Sequence, residues 1–244
     1  MKRLFLFVFV CLGSLILAFE EIDALFFQAR SERNPQKVLQ IIQTLESRSD
    51  LNQSSELLTI LADCYLEYGD WGVAKEQKEK TLEQARKYAE AALKLNSENG
   101  RANYIAGAAI GRLAQYKGII QSLFMLGDFD KYINKAISLL NENDEKEILY
   151  KTFALIASGM RYRDVPWPLY DYKKSEQLLF EAASLTPNYS NIYLELGYLY
   201  VKTNNKQKAK EMFQKVLEME PHPLLVQTHF NAVKTAREEL EKLK

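Results

Sequence analysis

The chain has 244 residues, 47% of them hydrophobic, enough to bury a sizeable core in one or two domains. Its 32 basic residues cancel its 32 acidic ones, so bulk charge excludes an electrostatic case for a nucleic-acid or anionic-membrane partner. Ten glycines and six prolines fall between apolar periodic segments, which points to long helices with short connections and an all-α chain.

Lys2-Arg3 precede an unbroken apolar run from Leu4 to Leu17, then Ala18 and acidic Glu20-Glu21, the layout of a secretory signal peptide over residues 1–18. The run is shorter than the roughly 20 residues that span a bilayer. Cleavage after Ala18 fits, but Ile16 is larger than the small residue preferred there, so an uncleaved anchor stays open. Cys11 follows Val8-Phe9-Val10 rather than small residues, which argues against a lipoprotein. The expected location is the periplasm or cell envelope. Once the signal is gone Cys64 stands alone, no internal disulfide is possible, and stability must come from helix packing over residues 19–244.

A first helix is expected from Phe19 to Ser31, with Ile22, Leu25, Phe26 and Ala29 as its apolar stripe. Asn34-Pro35 is a cap followed by a favoured first helical residue, and opens a helix with Val38, Leu39, Ile41, Ile42 and Leu45 on one face. Leu58, Leu61, Ala62 and Tyr65 then introduce a spacing of large, large, small and aromatic residues that recurs along the chain. The next helix should begin near Ala74 and runs without a breaker to Asn96-Ser97, about three turns beyond a standard repeat. Another unit opens at Asn99-Gly100, with Gly107 in the small slot. Its apolar insert Ile119 to Leu126 is again overlong, and Asp128 is expected to cap the second helix through Leu140. A fourth unit starts near Asp144, with Leu155, Gly159 and Tyr162 in the slots, and an enlarged loop from Arg163 to Asp171 holds Pro166, Trp167 and Pro168.

From 190 to 221 the pattern is complete: Tyr193, Leu196, Gly197, Tyr200, Ala209, Phe213 and Pro221 occupy the slots of a tetratricopeptide repeat in register. The chain therefore resembles the tetratricopeptide superfamily, a solenoid of helical hairpins with elongated early members. Gly197 and Ala209 sit where two helices approach most closely. A single hairpin cannot bury its apolar face, so the preceding units are its neighbours, and a polar helix over 224–243 is the terminal cap.

The overlong hairpins, the stretch from Gly111 to Gly118 (Gly-Arg-Leu-Ala-Gln-Tyr-Lys-Gly) and the Pro-rich loop narrow the resemblance. Over roughly Ser54 to Glu241 the chain resembles the group that includes the T-component of TRAP-type transporters and the regulators of microtubule dynamics. That resemblance implies an exported, non-enzymatic binding protein, possible homo-oligomers, and work beside a solute-binding protein in uptake. A cell-envelope scaffold for other proteins, without a small-molecule ligand, is the alternative from another class.

In such stacks the first helix of each repeat lines the concave face. By that rule Glu56, Thr59, Asp63, Arg101, Tyr104, Ala108, Arg112, Phe153, Ile156, Met160, Asn191, Leu194, Tyr198 and Lys202 are groove candidates, mixing aromatics with a few charges as an extended peptide or a small hydrophobic or amphipathic ligand requires. Packing against adjacent repeats is the other use for these aromatics. Trp167 and Tyr170 either overhang the groove or plug the widened hairpin; Arg112 and Arg161 suit a ligand carboxylate or an interhelical ion pair. His222 and His229 lack partners at ligand spacing, and Cys64 faces packing, so neither a metal, a cofactor nor a catalytic group is expected.

Overall fold

Helix starts are written into this chain as short polar side chains. In the computed structural model, which describes residues 19–244, the side chains of Asn34, Ser54, Asn99, Asp144, Asp171 and Asn205 each accept a hydrogen bond from the backbone N–H three residues on, at 2.9–3.1 Å. Each satisfies an amide that the first helical turn leaves free. The helices are α1 (residues 19–31), α2 (Pro35–Glu46), α3 (Ser55–Glu67), α4 (Lys75–Leu95), α5 (Gly100–Ala114), α6 (Ile119–Leu139), α7 (Glu145–Asp164), α8 (Tyr172–Leu185), α9 (Ser190–Lys202), α10 (Lys206–Glu218) and α11 (Val226–Lys242). Among the described residues there is no strand.

From α3 onward the helices pair in sequence as hairpins, α3 with α4, α5 with α6, α7 with α8 and α9 with α10, and α11 packs on the last pair. The small slots explain the close approach. A Cβ on Gly107 would lie 2.7 Å from Ile133, and one on Gly197 would lie 2.3 Å from the Phe213 ring. The turn between α9 and α10 puts Asn204 at φ 59°, a left-handed conformation that Asn tolerates better than most residues. The fold is an all-α helical repeat of tetratricopeptide type.

Three expectations need correction. Asp128 is no cap: α6 begins at Ile119 after Gly118 and runs through Asp128 without a break. Nothing between Gly118 and Leu139 stops a helix except Gly127, and one glycine inside a helix costs only about 1 kcal/mol relative to alanine. Leu25 and Leu39 face solvent, while Phe27 is buried instead. The C-terminal helix starts at Val226, because Pro223–Leu225 form a 3-10 turn before it. The signal segment 1–18 lies outside the described residues.

Candidate functional site

In a regular solenoid each hairpin touches only its neighbours. Helix α1 departs from this rule. Its Asp23 pairs with Arg101 of α5 at 2.6 Å and with Lys146 of α7. Its Arg30 pairs with Glu67 of α3 at 3.1 Å and lies 4.5 Å from the centre of the Phe153 ring of α7. Phe27 packs edge-on against Tyr150. Helix α1 therefore crosses the face formed by the first helices of three successive hairpins.

The contact is a buried charge network. Arg101 bridges Asp23 to Asp63 of α3, which lies 2.9 Å away and also accepts from the Tyr150 hydroxyl. Burial alone would raise the Asp23 carboxyl, but Arg101 and Lys146 hold it below the usual aspartate value. Burial works against Glu67 in the same way, and Arg30, Arg112, the Trp71 N–H and Arg33 together outweigh it, so this carboxyl is also lowered. Both stay ionised in the fold because a cation is fixed against them. The guanidinium of Arg101 also lies 4.7 Å from the Tyr150 ring centre, where the ring's negative face adds attraction.

Beyond the end of α1 the same face is open. A cleft of about 620 Å³ runs between the C-terminal halves of α5 and α7, the first half of α6 and the start of α9. Its walls include Tyr104, Leu123, Leu126, Phe129, Phe153 and Met160, and its polar groups include Arg112, Asn191 and Glu195. The cations near it are already engaged. Arg112 donates to the Leu66 carbonyl at 3.0 Å, and Arg161 binds both carboxylate oxygens of Asp130 at 3.1 and 2.8 Å. Arg163 donates to Glu195 at 2.6 Å, yet burial still leaves that carboxyl above its usual value. Tyr189, pushed up to about 12 by burial, accepts from the Asn191 side chain at 3.2 Å. The arrangement offers apolar surface with a few fixed hydrogen-bonding groups, which suits holding a molecule.

Comparison with known proteins places this architecture. The sequence model of the family described as regulator of microtubule dynamics protein 1-3 matches residues 18–153, more than half the chain. The chain belongs to that family. A tetratricopeptide repeat model matches residues 190–223, the stretch with the complete slot pattern. A crystal structure of a tetratricopeptide repeat protein from Parabacteroides merdae aligns over 93% of each chain, at 16% identity and a TM-score of 0.39. No curated protein matches the sequence.

The segment matched by the regulator of microtubule dynamics family takes in α1 and α2, so it begins well before Ser54 and includes the helix that covers the face. The sequence-derived candidates divide accordingly. Thr59, Asp63 and Arg101 are built into the structure beneath or beside α1: Thr59 and Asp63 are buried, and Arg101 is spent on Asp23 and Asp63. Tyr104 and Phe153 stand at the boundary, packed against Tyr150 on one side, tilted and edge-on respectively, and lining the cleft on the other. Ala108, Arg112, Ile156, Met160 and Asn191 line the cleft. Leu194 is buried and outside it, Tyr198 packs edge-on against Phe213, Lys202 is exposed 3.5 Å from Asp164, and Glu56 is exposed.

Trp167 does not plug the hairpin: it is 79% exposed at the cleft rim, next to the lining residue Pro166. Tyr170 stacks on Tyr172, with ring centres 4.5 Å apart. Cys64 is buried, and burial pushes its thiol up, away from reactivity. His229 faces the Ser190 hydroxyl at 2.5 Å, and among the described residues no group of three His, Cys, Asp or Glu is placed to hold a metal. Sequence reasoning missed Asp23 and Arg30. Their signal is visible in retrospect: with Phe26 and Phe27 they occupy positions i, i+3, i+4 and i+7, so both charges lie on the apolar stripe of α1.

Proposed function

We propose that this chain is an exported, non-enzymatic binding protein that works through the open cleft. The occupant is an apolar segment of a protein partner or a small amphipathic molecule, and the likeness to T-components makes an accessory role in solute uptake the physiological setting. The observation that carries this reading is the cleft itself: apolar walls, with Arg112, Arg161 and Glu195 already paired inside the protein. An occupant therefore gains from burial of its own apolar surface more than from charge.

The test is a photo-cross-linking side chain in place of Met160 in the full chain, expressed in its own cells. One recurrent adduct, protein or small molecule, that is absent when the same side chain replaces exposed Leu95 supports cleft binding. Equal labelling from both positions would falsify it. Fractionation with intact-mass analysis tests export separately: protein beginning at Phe19 in the periplasm supports a cleaved signal, and protein retained only in the cytosol overturns export.

A further inference from the structure

The two rims of the cleft have a chemistry that cleft binding alone does not require. From Gly118 to Gly127 the sequence is Gly-Ile-Ile-Gln-Ser-Leu-Phe-Met-Leu-Gly, ten residues without an ionisable side chain in a chain that is 26% charged. These residues are the linker end and the first turns of α6. Ile119 and Ile120 are each 72% exposed and Phe124 is 83% exposed. Across the cleft the loop from Val165 to Tyr170 is also uncharged and carries Trp167 at its tip. Both tips follow the C-terminal end of a first helix, α5 and α7, so they lie on one edge of the stack. Arg161 ties them together, binding Asp130 of α6 and reaching the Leu169 carbonyl at 3.4 Å.

We propose that this edge docks on an electrically neutral lipid surface, with Ile119, Ile120 and Phe124 entering the acyl boundary and Trp167 at the headgroup level. Two observations favour a bilayer over a protein. First, the start of α6 is apolar on two sides: Leu123 and Leu126 line the cleft, whereas Ile120 and Phe124 do not. A partner seated in the cleft leaves the outer pair in water, and a partner on the outer face leaves the cleft wall; a lipid phase covers both. Second, an exposed indole between two prolines, on the same edge as the α6 tip, has the apolar body and polar N–H that suit the interface. Neutral lipid follows from charge. The two tips themselves, Gly118–Gly127 and Val165–Tyr170, carry no cation, and Lys117 and Arg161 beside them are held by Glu79 and Asp130; exposed Lys173, at the start of α8, lies outside both tips. No helix among the described residues is long and apolar enough to cross a membrane.

The experiment adds the full chain to phosphatidylcholine vesicles whose acyl chains carry bromine, a contact quencher of indole fluorescence. Trp167 should shift to the blue and be quenched, with little dependence on salt, and Trp167→Phe should remove that signal and leave Trp71. The Ile120→Glu/Phe124→Glu variant should lower the partition coefficient roughly ten- to hundredfold, with its thermal midpoint kept because both side chains are exposed. Leu95→Glu, at an exposed site on α4, should partition like the parent. A chain held on vesicles through its first eighteen residues while Trp167 stays unquenched overturns the proposal. So does binding that requires anionic lipid, or self-association that shields Trp167 whether or not vesicles are present.

Discussion

The part of the repeat face beneath α1 and the open cleft beside it are built from the same first helices, yet charge serves opposite ends in them. Under α1, Asp23, Asp63, Arg30 and Glu67 are buried, the partly covered Arg101 joins the two aspartates, and the group binds the chain to itself. In the cleft, the ionisable groups pair along the walls and leave the middle apolar. A tetratricopeptide face is thus no single surface. Whether a side chain on it is available depends on how far α1 reaches, and Arg101 and Arg112, eleven residues apart on α5, fall on different sides of that line.

The sharpest way to break the comparison is Arg101→Met. Removing the cation leaves Asp23 and Asp63 buried with one fewer partner, and losing half of such a pair costs about 3–5 kcal/mol. Denaturant unfolding should show that loss. In a double-mutant cycle with Asp23→Asn the two effects should be far from additive, whereas Arg101→Met with Glu195→Gln should add.

Acid tests the same contrast more gently, because it neutralises a carboxylate instead of stranding one. Asp23 and Glu67 have folded values below their ordinary 3.8 and 4.5, so the stability they contribute is complete above those values. It is lost as pH falls through the lower, folded values. Glu195, raised above 4.5 by burial, has the opposite sign: its ionisation opposes folding as pH rises through its folded value, and acidification relieves that cost. Thermal midpoints followed from pH 7 to pH 3 should fall steeply at the acid end. Glu195→Gln should remove the opposing slope above 4.5 and leave the acid loss intact.

The smallest effects come from glycine. Gly197→Ala places a methyl against the fully buried Phe213 ring and should cost about 1–3 kcal/mol. Gly127→Ala meets nothing within 4 Å, on the rim of the cleft, and should stabilise by about 0.5–1 kcal/mol. Thermal unfolding of the two variants side by side reads whether the rim is as free of packing constraint as the hairpin interior is bound by it.

Much of this fold was legible in the sequence, because hairpin packing is local. Gly107, Gly159 and Gly197 mark close approaches to the other helix of their own hairpin, and Asn34, Asn99 and Asp144 mark the helix starts that they cap. The site was less so. The slot rule places Arg101 and Arg112 alike on the inner face, and nothing in the periodicity of α5 says that a helix some 78 residues earlier returns to cover one and not the other. Asp128 misled for a related reason. A polar residue after an apolar run reads as a boundary, but here the apolar run is itself helix, exposed at its tip.

The reach of α1 also sets the order in which the molecule can be assembled. Arg30 bonds to Tyr150 across 120 residues of chain, Asp23 to Lys146 across 123, and the Ser31 hydroxyl to the Pro223 carbonyl across 192. A plain solenoid can grow outward from any hairpin, each new unit settling on the last. Here the first described helix to emerge from the ribosome has no complete seat until α7 has been made, and its last bond waits for the turn before α11. Long-range closures of this kind slow folding and tie its steps together. The earliest-synthesised described element thus waits on much later ones for its seat, and its docking couples three hairpins that a plain solenoid would leave joined only to their neighbours.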